Sequence, residues 1–173
     1  MNRIIKILRT MAAGASEPIT FQQLKLYLQV EGTAYDAQFQ DYIVAARGMV
    51  EKVTNRSLVD SNVELRLNIR SVDFTTLPFA PVAVLTDVRW KKCPAQILPM
   101  LDGYDYIVGG FDEAAFTRYG DWYISYTTAA ICNSELTEAV KIQAGHLYMT
   151  RDLTDAPKWH PRAKLICDQY ATS

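Results

Sequence analysis

Apolar residues in this chain return at two different intervals, and the switch between them limits the fold more than any other feature. From residue 36, Phe39, Ile43, Ala46, Val50 and Val53 recur at alternating four- and three-residue steps, the spacing of a buried stripe on a helix. In VELRLNI, residues 63 to 69, apolar and polar residues alternate, as in a strand covered on one face. VAVLTDVRW, DYIV and WYISYT read as further strands separated by Pro and Gly turns, and SELTEAVKIQAGHLYMTRD then returns to helical spacing. The expected fold class is α+β: two N-terminal helices, a small mostly antiparallel β region, a long helix and a short C-terminal helix.

Local signals set the boundaries. In ITFQQL, Thr20 can cap a helix with Gln23 reaching back to it, while Ile19 and Leu24 sit at the two positions of a hydrophobic staple. Leu24, Tyr27 and Leu28 share a face, and Gly32 is placed to end this helix in a left-handed conformation. The second helix is expected to close in TNRS, with Asn55 in that left-handed role. The two prolines of LPFAP, residues 77 to 81, give an extended entry to the strand at Val82, and Pro161 opens a last helix ending near Tyr170.

A length of 173 residues, 49% hydrophobic and 21% charged, suits a globular chain with a real core. No repeat or low-complexity linker divides it, so residues 1–173 are expected to form one domain, with 1–17 as an N-terminal strand or arm and 156–173 as a C-terminal segment. With 18 Lys and Arg against 19 Asp and Glu, the net charge of -1 gives no global attraction to nucleic acid or an anionic membrane. Cys93, Cys132 and Cys167 form neither a disulfide framework nor a zinc pattern and suit a reducing compartment. Lys6 and Arg9 interrupt the apolar run of MNRIIKILRT, which reads as no targeting segment, and a cytosolic product is expected.

The spacings that place phosphates, acyl groups or zinc are missing from the sequence. Asp112 with Glu113, or Asp102 with Asp105, could form an acid/base pair, but carboxylates in glycine-containing loops are usually solvated turn residues. The two histidines, His146 and His160, have no cysteine or further histidine at ligand spacing. On a helical wheel Leu136, Ala139, Val140, Gln143, Ala144 and Leu147 share one face with His146 at its rim, while Ile142, Gly145 and Met149 form a narrower second strip. Arg151 falls near the main face and Asp152 turns away from His146, so the three do not converge. His146 is therefore expected to pack and make one hydrogen bond, with no catalytic, cofactor or metal residues assigned.

Over almost its whole length the sequence resembles the head-tail connector (adaptor, or head-completion) proteins of tailed bacteriophages and gene transfer agents. Members show a Pro-[IVL]-Thr-Leu helix start, an Ala-Ala-Arg helix leading into Thr-Gly-Arg, a Leu-Pro-x-x-Pro-Val segment, a Tyr-Thr-Ala-Gly turn and a helix ending in His-x-Tyr-x-x-Arg-[Asp/Glu]. Here these are Pro18 to Phe21, Ala45 to Arg47 with Thr54 to Arg56, Leu77 to Val82, Tyr126 to Ala130, and His146 to Asp152. Asn55 and Ala130 stand where the family has glycine.

The resemblance implies a structural virion protein made in the bacterial host cytoplasm: a ring subunit, usually one of twelve, docked under the portal protein. Such a ring lengthens the channel through which double-stranded DNA passes and presents a surface to a neck, stopper or tail-completion protein. It implies no cofactor and no enzyme activity. Rival readings are a small enzyme using His146 with a carboxylate and a DNA-binding accessory protein using Lys91 and Lys92.

Two segments carry more apolar surface than a free loop or tail needs. WKKCPAQILPMLDG, residues 90 to 103, holds Ile97, Leu98, Met100 and Leu101 and is expected to supply ring contacts and channel lining. APKWHPRAKLICDQYATS holds Trp159, Leu165, Ile166 and Tyr170 and could meet the portal, although docking on the subunit's own body is the favoured reading. With Ile142 and Met149 these residues make up the candidate subunit or portal contacts.

Overall fold

The computed structural model describes residues 3–70, 74–90, 106–109, 113–116, 120–131, 133–151 and 158–171. Contacts gather into two compact units, one formed by Met1–Ala15 and Val59–Ala130, the other by Ser16–Leu58 and Ile131–Ser173.

The second unit is helical: α1 (Phe21–Leu28), α2 (Asp36–Thr54), α3 (Ser134–Thr150) and α4 (Pro161–Tyr170). The expected capping box closes α1, with Thr20 Oγ1 accepting from the Gln23 amide at 3.2 Å and Gln23 Oε1 accepting from the Thr20 amide at 2.8 Å. Ile19 and Leu24 are both buried in the same core, as a staple requires. The C-terminal expectation was off by three residues. Gln29, not Gly32, takes the left-handed position (φ 55°), and the Val30 amide donates back to the Lys25 carbonyl at 3.0 Å. Ending the helix there lets Val30 pack on the core, whereas Gly32 (φ 85°) serves the following turn.

The α2 stripe is as expected, with Phe39, Ile43, Ala46 and Val50 buried and Asn55 left-handed at φ 53°. On α3 the main face is also confirmed, because Leu136, Ala139, Val140, Gln143, Ala144 and Leu147 are all fully buried. Asn133 caps this helix by accepting from the Glu135 and Leu136 amides. A Cβ at Gly145 would lie 3.1 Å from Tyr27 Cε1 and 3.3 Å from Leu28 Cδ2, so the missing side chain is what lets α1 approach α3. Pro161 opens α4, whose Ala163 and Cys167 are fully buried in the helical core.

Inside this unit lies an ion triad. Arg47 Nε and Nη2 donate to Glu17 at 2.7 and 3.2 Å, and Arg47 Nη1 donates to Glu51 Oε2 at 2.8 Å. Glu51, 1% exposed, accepts a further bond at Oε1 from the Leu58 amide at 2.7 Å. Burial opposes the charge on Arg47, but the bonds and charges of Glu17 and Glu51 outweigh it and raise the guanidinium pKa.

The first unit is built on a four-stranded sheet in the order β1 (Arg3–Met11), β2 (Ser61–Ile69), β7 (Gly120–Thr128), β4 (Val82–Trp90), with every pair antiparallel. A three-stranded sheet runs β3 (Phe74–Thr76), β6 (Glu113–Phe116), β5 (Tyr106–Gly109), also antiparallel. The N-terminal segment is thus a strand, and β3 and β6 are additions to the elements expected from sequence. Register places Ile7, Leu65, Ile124 and Val88 in one row across the larger sheet, and Val63, Leu65, Leu67, Trp122, Ile124 and Tyr126 form its buried face. Leu77 packs on that face, and the Tyr126 hydroxyl donates to the Pro78 carbonyl at 2.7 Å. The Arg9 guanidinium sits 4.4 Å from the Phe79 ring centroid. Ala130 has no positive φ, and its amide donates to Asp60 Oδ1 at 2.7 Å, so the alanine needs no glycine backbone there.

Arg47→Met should cost about 3–5 kcal/mol in urea unfolding, because it leaves the buried Glu51 carboxylate without its cation. Adding Glu51→Gln should restore part of the loss, since the neutral amide still accepts from Leu58. A single-variant loss below ~1 kcal/mol, the range of exposed pairs, would remove the triad from its central place.

Candidate assembly surfaces

Among the described residues the two histidines meet each other. The His146 ring meets His160 edge to face, centroids 5.6 Å apart, and His160 Nδ1 is occupied in accepting from the Arg162 amide at 3.2 Å, which caps α4. The expected hydrogen bond from His146 fails at one nitrogen: Nε2 is shielded from solvent and has no hydrogen-bond partner among the described residues. Arg151, left-handed at the end of α3, lays its guanidinium 4.6 Å from the Tyr148 ring centroid and 5.6 Å from that of Tyr35, away from any role with His146. Asp152, Asp102, Asp105, Asp112, Lys91, Lys92, Cys93 and Cys132 lie outside the described residues, and of Glu113 only the strand position is described. Among the described residues no group of three or more His, Cys, Asp or Glu could hold a metal ion.

Cys167 is fully buried in the helical core. Burial, with Asp168 adding to it, pushes its thiol up to about 11 although Lys164 works the other way.

One buried polar residue has a structural task that the sequence did not reveal. Gln143, fully buried on the apolar face of α3, donates from Nε2 to the Lys158 carbonyl and accepts at Oε1 from the His160 amide, both at 2.9 Å. It thereby fixes the approach to α4. The signal available in sequence was a lone amide within an otherwise apolar stripe.

The candidate contact residues divide sharply. Ile97, Leu98, Met100 and Leu101 lie outside the described residues. Ile142 is corrected: at 4% exposure it belongs to the helical unit's own core, where it offers no surface. Its strip partner Met149 is 73% exposed. Trp159, Ile166 and Tyr170 are half-buried against the same core, and the Tyr170 hydroxyl bonds Glu135 and Asn133, so α4 docks on its own unit as favoured. Only Leu165, 64% exposed, faces outward from that group.

Among the described residues the longest run of exposed apolar side chains lies elsewhere, on β1. Ile4, Ile5, Ile7, Leu8 and Met11 of β1 are all exposed, at 39 to 47%. β1 is an outer strand, so its core-facing Ile4 and Ile7 extend the buried row of β2 past the cover that Leu77 gives the central strands. On the opposite face a shallow hollow of about 270 Å³ lies among Lys6, Leu8, Glu64, Arg66, Tyr123 and Ser125. Arg66 there bonds Asp121 Oδ2 at 2.8 Å.

No family model and no curated protein sequence matches this chain. Solved structures do. A chain from the neck of an empty gene transfer agent particle, computed with sixfold symmetry, matches with TM-score 0.73 and 20% identity over 98% of this chain and 96% of that one. A chain from the virion of the native gene transfer agent particle matches with TM-score 0.68 and 20% identity, covering 100% and 96%. One from the neck of the native particle, computed with twelvefold symmetry, gives 0.65 and 18%, covering 98% and 96%. This chain therefore has the fold of chains found in gene transfer agent particles, from end to end.

His146→Phe should raise unfolding stability by about 1 kcal/mol, since it removes a buried nitrogen that lacks a partner. A lower melting temperature would mean that water serves Nε2. For Cys167 the sign follows from a raised pKa: the folded state holds the proton that the unfolded chain releases, so its contribution is whole below the unfolded thiol's pKa and declines as pH rises toward about 11. Cys167→Ala should flatten that alkaline decline in a series of melts, and an unchanged slope would contradict the assignment.

Proposed function

We propose that this chain is a structural virion protein of a tailed phage or gene transfer agent, a head-tail connector subunit that forms a ring beneath the portal. The ring extends the DNA channel and offers its far side to a neck or tail component, with both units acting together as one connector subunit. The observation that carries this reading is the end-to-end likeness to a chain of a gene transfer agent neck. Its support in the sequence is the ordered set of motifs from Pro18 to Asp152. Symmetry in the matched neck structures, sixfold and twelvefold, favours copies arranged about an axis.

On this reading the described residues serve packing, not turnover, and His146 faces the His160 ring. A closed ring needs heterologous contacts, which an apolar margin such as β1 can supply. DNA passes without sequence-specific contact, consistent with the net charge of -1.

Particles produced without this chain should contain heads and tails that fail to join, and supplying the purified protein to portal-bearing heads should restore a ring-shaped density below the portal in electron micrographs. Normal, tailed, infectious or transducing particles in its absence would refute the connector role.

A further inference from the structure

We propose that the two outer strands of the larger sheet, β1 and β4, meet between neighbouring copies, so that β1 of one subunit lies along β4 of the next. This rests on the ring reading above and specifies its contact. β1 exposes five large apolar side chains, and Val84 of β4 is 59% exposed, more than single scattered residues require.

Strand direction favours this pairing. In the order β1, β2, β7, β4 each neighbour is antiparallel, so β1 and β4 run in opposite directions. Copies related by rotation around a ring keep their orientation relative to the axis, and the next copy's β1 then arrives antiparallel to β4, as strands inside the subunit do. The core-facing rows also line up. Leu85 and Val88 lie on the face of Tyr126 and Ile124, and Ile4 and Ile7 lie on the face of Leu67 and Leu65, so the neighbour's isoleucines would continue the row.

Charge selects against the alternative of two like edges. RIIKILRTM, the whole of β1, contains Arg3, Lys6 and Arg9 and no acid, so β1 against β1 would bring like charges together. β4 instead contains Asp87 and Arg89 and imposes no such repulsion. The occupant of the β1 margin is therefore a second copy of this chain presenting β4.

The test uses the full chain on portal-bearing heads, read by electron microscopy and by covalent cross-linking. Ile5→Lys/Leu8→Lys and, separately, Val84→Lys/Thr86→Lys should each melt like wild type yet reduce ring-bearing necks by about ten-fold or more. In the same particles, a chain carrying Cys93→Ser and Cys132→Ser together with both Leu8→Cys and Val84→Cys, treated with a short thiol-reactive cross-linker, should yield a ladder of multimers beyond that of the Cys93→Ser/Cys132→Ser chain. Either single cysteine variant should yield none. Wild-type rings without the ladder overturn this contact and leave the ring intact, and dimers from Leu8→Cys alone indicate β1 against β1 and overturn it as well. Failure of wild type to form any ring removes the ring reading, and this contact with it.

Discussion

The helical unit depends on a guanidinium that has been taken out of water. Arg47 joins Glu17, just ahead of α1, to Glu51 on α2, and Glu51 in turn holds the Leu58 amide beyond the helix. One side-chain cluster thus fixes the start of α1, the rotation of α2 about its axis and the chain's exit from α2. An apolar substitute of similar volume would often be no less stable, because the buried Glu51, the half-buried Glu17 and their cation give up much hydration. Their geometry, however, admits few alternatives. Slipping α2 by one residue would turn Arg47 by about 100° and leave a carboxylate buried without its cation. The apolar stripe from Phe39 to Val50 supplies the driving force, and the triad selects one orientation for it.

What the sequence disclosed follows the range of the interactions concerned. Capping boxes, Pro at a helix start and a stripe every three or four residues act within one or two turns, so α1, α2, α3 and α4 were legible with boundaries close to those observed. Arg47 and Glu51 are four residues apart and could be paired on paper, whereas Glu17 is separated by 30 positions and no local signal connects them. The meeting of His146 with His160 has the same character, since it depends on how the chain returns from α3 to α4. Gly32 was a reasonable stop on propensity alone, but closing at Gln29 brought Val30 onto the core, and packing outweighed the modest backbone preference.

β1 shows why a strand can hide. Its pairing slips between Ile4 and Lys6, so Ile5 is an extra residue, and the run Ile4, Ile5, Ile7, Leu8 loses the two-residue alternation that marks β2. An arm and a strand were therefore equally good readings of MNRIIKILRT. β3 and β6, three and four residues long, are too short to establish a period at all. The same irregularity hides the exposed surface: apolar residues between prolines and at the C-terminus stand out in the sequence, while the outer strand that exposes five of them has no clear pattern.

The distribution of exposed apolar groups separates incidental exposure from a surface with work to do. Met149 on α3 and Leu165 on α4 are each exposed by more than 60%, yet each is a single exposed large hydrophobic among the described residues of its helix, and isolated residues of this kind are ordinary on protein surfaces. β1 differs in kind. Its exposed side chains fall within nine consecutive residues, project from both faces of one strand, and lie beside the margin where a further strand would add. Burying such a row could favour association without any helix changing its packing, because Ile4 and Ile7 would only continue a layer that β2, β7 and β4 have already built. Its three basic residues act in the opposite sense toward a like edge, keeping charge at the margin where an uncharged strand would invite indiscriminate pairing.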